Sequence, residues 1–120
     1  MTTDKEYAAR RKDLMSQMHK NSIAIISSAP EKIRSRDTHY PYKQNVNLSY
    51  LCGFPEPESV LVLIPGRENG ETVLFCRDKD PLRETWDGYR EGPDGAVKNF
   101  GADDAFPISD IDDILPNLIE

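Results

Sequence analysis

Glu58-Ser59-Val60-Leu61-Val62-Leu63-Ile64, then Pro65-Gly66-Arg67-Glu68-Asn69-Gly70, then Glu71-Thr72-Val73-Leu74-Phe75-Cys76: this stretch decides the fold class. Two short runs rich in β-branched and apolar residues enclose a cluster of proline, asparagine and glycine, the residues that turn a chain between strands. The pattern predicts an antiparallel hairpin. Immediately before it, Val46, Leu48 and Tyr50 alternate with Asn47 and Ser49, the period of a strand with one polar face, so a meander is expected.

Further toward the N-terminus, Ser22-Ile23-Ala24-Ile25-Ile26-Ser27-Ser28 reads as a central strand buried on both faces, ending at Ala29-Pro30. Residues 4–18 place Tyr7, Leu14, Met15 and Met18 on one helical face, with Thr3 or Asp4 as cap and Arg10, Lys12, Asp13 and Gln17 on a solvated face. His19 stands at that helix's end, where it suits the negative pole of the helix dipole. Between strand and meander, residues 34–58 hold Asp37, Tyr40-Pro41-Tyr42 and the corner Gly53-Phe54-Pro55-Glu56-Pro57-Glu58. Proline fixes φ and restricts its predecessor, so an ordered, extended loop is expected. A polar loop held this stiffly, leaving the end of a strand in an α/β sheet, serves a site more often than a core.

On the C-terminal side, Asp80 caps a short helix over residues 80–85 with Pro81 at its first position. Trp86, the sole tryptophan, opens the glycine-rich loop Trp86-Asp87-Gly88-Tyr89-Arg90-Glu91-Gly92, where it is either a packing residue or the wall of an interface or pocket. Residues 95–100 form one or two helical turns stopping at Gly101, and residues 105–108 a brief edge strand. Ser109 caps a last helix with Asp112 at the capping-box position and Ile111, Ile114, Leu115 and Leu118 on one face. A helix crossing a sheet delivers a further strand, so the sequence reads as part of something longer.

With 120 residues the chain is one domain, 1–120, able to bury roughly two-thirds of its unfolded surface. Residues 1–43 carry nine Lys or Arg against five Asp or Glu, whereas residues 44–120 carry six against sixteen. The acidic balance excludes nucleic acid as a partner, since a basic patch supplies most of that affinity. No run approaches the about 18 apolar residues of a membrane span, and the polar start lacks a secretory signal, which implies a cytoplasmic protein. Cys52 and Cys76 are read as free thiols on buried strands.

Unaided, these residues specify no reaction. There is no phosphate-cradling glycine loop, no nucleophile elbow and no paired histidines on a helix. His19 and His39 with two distant cysteines lack the spacing of a zinc site. Asp103, Asp104, Asp110, Asp112 and Asp113 lack the glycine and the spaced ligands of a calcium loop, and carboxylates at a helix start have an ordinary dipole explanation. Asp37, between Arg36 and Thr38, is either a turn carboxylate or a site residue.

Two blocks do carry a family resemblance. Arg36-Asp37 with Tyr40-Pro41-Tyr42-Lys43-Gln44-Asn45 and Tyr50-Leu51-Cys52-Gly53-Phe54-Pro55-Glu56-Pro57-Glu58 resembles the N-terminal domain of aminopeptidase P, the Xaa-Pro aminopeptidases. Asp80-Pro81, Glu84-Thr85-Trp86-Asp87-Gly88-Tyr89-Arg90-Glu91-Gly92 and Gly95-Ala96 resemble that family's tryptophan loop. Lys43 stands where arginine is common and Cys52 where threonine is frequent.

The resemblance implies an α/β fold: a mixed sheet flanked by helices, with the ribonuclease-H-like topology of the creatinase/prolidase N-terminal domain. It implies that the intact protein releases an N-terminal residue preceding proline. In the family a separate pita-bread catalytic domain does this, with two Asp, one His and two Glu holding a pair of divalent metals, commonly manganese. No metal ligand and no catalytic residue is expected within these 120 residues. The implied partners are the catalytic domain, neighbouring subunits of a homodimer or homotetramer, and peptides with proline in second position. Trp86 would wall the proline side of a neighbouring subunit's pocket and Asp37 would approach the same site. Tyr40, Pro41, Tyr42, Gly88 and Arg90 would support those two loops. The alternatives are a free-standing protein-interaction module on the same fold and the N-terminal domain of a prolidase or creatinase relative.

Overall fold

The computed structural model describes residues 4–19, 22–28, 44–68 and 70–119. Helix α1 (Asp4–Ser16) precedes strand β1 (Ala24–Ser27), helix α2 (Val46–Cys52) and the hairpin strands β2 (Val60–Leu63) and β3 (Thr72–Cys76). Helices α3 (Pro81–Asp87) and α4 (Gly92–Phe100), strand β4 (Asp104–Pro107), a 3-10 turn over Ile108–Asp110 and helix α5 (Ile111–Ile119) complete the order. The sheet runs β1-β2-β3-β4. The first three strands are antiparallel, with Ala24 opposite Leu63 and Val60 opposite Phe75, and β4 lies parallel to β3 with Val73 opposite Asp104. This is the mixed α/β sheet with flanking helices expected from the sequence.

Alternation along β2 and β3 divides the core between two faces. Leu61, Leu63, Leu74 and Cys76 point to one side, where Leu48, Leu51 and Cys52 of α2, Ala96 of α4, and Leu14 and Met15 of α1 meet them. Val62, Val73 and Phe75 point to the other, where Ile111, Ile114, Leu115 and Leu118 of α5 pack. Phe54 is wholly buried and meets Phe100 edge to face at 5.0 Å.

Several expectations need correction. The Val46–Tyr50 segment is helical, not extended. The Asn45 side chain accepts from the Asn47 and Leu48 amides, the Gly53 N–H donates to Ser49 O at φ 70°, and Leu48, Leu51 and Cys52 recur at helical spacing as the buried face. Cys52 is accordingly on a helix, and only Cys76 lies on a strand; both are buried and free. Strand β1 is an edge rather than a centre: it stands first in the order β1-β2-β3-β4 and pairs with β2 alone among the described strands, and Ile25 on it is 48% exposed. The polar side of α1 is not uniformly solvated either. Arg10 stacks 4.2 Å from the Tyr50 ring and donates to Tyr50 O, and buried Arg11 donates to Leu51 O at 2.9 Å.

Ser109 lies within the 3-10 turn that leads into α5 instead of capping that helix. Other expectations hold. The last helical face, the edge strand near residues 105–108, the stop at Gly101 and the Asp80 cap all stand where predicted. His19 lies exposed beyond the end of α1. No described helix is long and apolar enough to cross a membrane.

Candidate functional site

Strand β3 hands the chain to a tightly tied turn. Asp80, extended at φ −142°, accepts the Arg83 N–H on its side chain, and Pro81 starts α3 without needing an amide partner. Thr85 Oγ1 returns to Pro81 O at 3.1 Å, and the Gly88 N–H closes the helix on Glu84 O at 3.1 Å. Gly88 holds φ 99°, a conformation that side chains strain to adopt, which is what ends the helix there.

Trp86 sits in the last turn of α3, one turn after Leu82, rather than in the glycine-rich loop that follows. Leu82 is 75% exposed, Trp86 82% and Tyr89 64%. Residues four apart share a helical face, so Leu82 and Trp86 form one outward apolar patch with Tyr89 beside it. Within this chain the Trp86 ring meets solvent and belongs to neither core cluster.

Charged groups fix that patch from behind. Lys79 Nζ donates to Glu84 Oε1 at 2.9 Å and to Arg90 O at 2.7 Å, and lies 3.9 Å from the centre of the Tyr89 ring. The Arg90 N–H donates to the same Glu84 oxygen at 2.9 Å, and Arg90 Nη1 to Asp78 O at 3.4 Å. The hydrogen bond from Lys79 and that from the Arg90 amide hold the Glu84 carboxyl below its ordinary range, and the bond to Glu84 holds the Lys79 ammonium above its own. Both groups therefore stay charged across the neutral range.

One residue later the turn is tied to the proline corner. Buried Glu56 accepts the Glu91 N–H on Oε2 at 2.7 Å and Arg77 Nη2 on Oε1 at 3.2 Å. Its carbonyl accepts from Gln44 Nε2 and Ser59 Oγ, each at 2.9 Å.

Of the predicted site residues, Trp86, Gly88 and Arg90 share this turn. Asp37, Tyr40, Pro41 and Tyr42, with His39, lie outside the described residues. Sequence reasoning missed Lys79, Glu84 and Glu56. A carboxylate between two prolines, in a corner that otherwise packs into the core, was the available signal for Glu56.

Little else among the described residues is equipped for chemistry. Burial pushes the Cys52 thiol up, and burial together with the Glu56 charge pushes Cys76 up to about 12, so neither is a nucleophile at neutral pH. Asp103 accepts the Thr72 amide and Asp104 pairs with Arg67 at 3.3 Å, which gives those carboxylates structural employment. Among the described residues no group of three or more His, Cys, Asp or Glu converges as a metal site. An open groove of about 580 Å³ between α1, β1 and α2 is lined by none of the residues of the tryptophan turn.

Comparison with known proteins places these features in context. Residues 7–120 match the model for "Aminopeptidase P, N-terminal domain". The chain is 44% identical to the Xaa-Pro aminopeptidase of Escherichia coli K12, over 95% of this chain and 26% of that protein. It is 39% identical to mouse Xaa-Pro aminopeptidase 3, over 94% of this chain and 25% of that protein. Among solved structures, Pseudomonas aeruginosa aminopeptidase PepP superposes with a TM-score of 0.94 at 62% identity, covering 98% of this chain and 26% of that one. Zinc-substituted E. coli aminopeptidase P in complex with product gives 0.90 at 42% identity, covering 98% and 27%. The chain thus spans about a quarter of the length of the relatives it matches.

Proposed function

Because the chain belongs to the aminopeptidase P N-terminal-domain family, we propose that it is the non-catalytic N-terminal domain of a cytoplasmic Xaa-Pro aminopeptidase, which releases the N-terminal residue preceding proline. The domain joins subunits into a homodimer or homotetramer and shapes the substrate entrance of a neighbouring subunit. The observation that carries this reading is Trp86, 82% exposed on a helical turn whose backbone is tied down on its inner side. A large ring with few rotatable bonds on a tied-down backbone loses little conformational entropy when a partner surface covers it, and its flat apolar face suits the ring of a proline.

In this reading Trp86 walls the proline side of the neighbour's pocket and Asp37 approaches the same site, with Tyr40, Pro41 and Tyr42 supporting the Asp37 loop. Gly88 and Arg90 support the tryptophan turn. Their work is to position substrate and restrict access. Hydrolysis belongs to a separate catalytic domain with two divalent metal ions, commonly manganese in the family. The described residues of this chain do not fit such a metal pair, and no step of the reaction is assigned to them.

The test is Trp86→Ala in the intact oligomer. An exposed side chain contributes little to folding, so the melting temperature should hold while kcat/KM for a peptide with proline in second position falls by about tenfold or more. Full activity with a lowered melting temperature would restore the packing reading. The chain by itself, supplied with manganese, should leave a Gly-Pro peptide intact.

A further inference from the structure

We propose that Glu56 is a positioning residue that anchors the tryptophan turn to the proline corner. Its carboxylate sets the turn, and its carbonyl is held in the corner by Gln44 and Ser59. The inference rests on the reading of Trp86 as part of a neighbouring subunit's pocket.

The geometry runs both ways from one residue. Toward the turn, Oε2 takes the Glu91 N–H at 2.7 Å; the adjacent Arg90 N–H is held by Glu84, which lies on the same helix as Trp86. Toward the corner, Gln44 Nε2 donates to Phe54 O at 3.0 Å and Glu56 O at 2.9 Å while its Oε1 accepts the Asn45 N–H. The corner itself is stiff. Pro55 and Pro57 flank Glu56, and Glu58 adopts φ 53°, a left-handed conformation that costs a residue other than glycine free energy and persists where surrounding contacts enforce it.

Burial makes the arrangement responsive to substitution. The Glu56 and Arg77 side chains are 9% and 12% exposed, and Arg77 Nε is buried with no hydrogen-bond partner among the described residues. Removing the carboxylate takes a countercharge from a buried guanidinium and frees the Glu91 amide together.

Two measurements separate the anchor from the reading it rests on. In this chain, Glu56→Ala should raise native-state amide exchange at Glu91 by about tenfold or more, and Glu56→Gln, which keeps an acceptor oxygen, by less. In the intact peptidase, Glu56→Ala should raise KM by about tenfold with kcat within about twofold, because substrate positioning is lost and the metal chemistry is untouched. If Glu56→Ala does not fold, Glu91→Pro deletes the same N–H from the other side; Glu91 has φ −69°, which proline fits. Its KM should rise likewise. Folded variants with unchanged Glu91 exchange, or an unchanged KM in either variant, would overturn the proposal. Trp86→Ala with full activity would instead sink the pocket reading, and would leave the exchange result standing.

Discussion

Gly53 shows how much one position carries. At φ 70° it ends α2 in a left-handed cap, and its amide donates to Ser49 O. A Cβ there would stand 2.5 Å from the Tyr7 hydroxyl and 2.6 Å from the ring carbon that bears it, so α1 approaches this point because no side chain is present. Gly53→Ala therefore faces a backbone cost and a steric cost together. The left-handed conformation alone costs about 1–2 kcal/mol, and displacing Tyr7 adds to it. The variant should lose at least that much unfolding free energy, read as a lower urea midpoint at an unchanged m-value; a loss no larger than the backbone cost would mean Tyr7 yields freely. The sequence marked Gly53 as part of a stiff corner. It did not reveal the reason for glycine, because the cap belongs to a helix that was read as a strand and the close approach comes from a residue far along the chain. The same holds at the site: Trp86, Gly88 and Arg90 were identifiable from a local motif, whereas Glu56 acts on Glu91 and Arg77, and pairing across such separations leaves no periodic trace.

At the scale of elements, misreading and success have the same origin. The hairpin was legible because its two apolar runs and intervening turn are local signals, and α3 because Asp80-Pro81 is a local start signal. In α2, Val46, Leu48 and Tyr50 mimic a strand, but Val46 and Tyr50 are exposed and only Leu48 of the three is buried. The deciding residues were Asn45 and Gly53 at the two ends, which fix the helix by capping. This account makes the cap measurable. Asn45→Ala should cost about 1 kcal/mol, since two amides lose their acceptor, and Asn45→Asp should be close to neutral. Thermal melts of the two variants decide it, and equal losses would point away from capping toward some role of the Asn45 amide group.

Over the whole molecule the two faces of the sheet differ. On the side of α1, α2 and α4, ten buried residues form one cluster, including Leu48, Leu51, Phe54, Leu61, Leu63 and Leu74. Beneath α5 lie three, Val62, Val73 and Phe75, and the helix residues that cover them are only partly buried. Local opening free energy follows buried apolar contact, so the α5 face should open well below the global unfolding threshold. Its Pro116 sharpens the contrast, since proline within a helix removes a backbone donor. Native-state hydrogen exchange should therefore show protection factors for the Leu115 and Leu118 amides lower by about 100-fold or more than those of Leu61 and Leu74. Leu63→Ala should lower the global stability by about 2–5 kcal/mol, and Leu118→Ala by less. Equal protection across both faces would mean that α5 unfolds only with the sheet, and that the layer anchored by three residues is as cooperative as the one anchored by ten. The tryptophan turn hangs from the stronger layer: Glu56 follows the buried Phe54, and α4, which begins at Gly92, packs Ala96 into the same cluster. Opening of α5 should leave exchange at Glu91 unchanged, because the anchor of the candidate site and the weak face of the sheet are on opposite sides of β3.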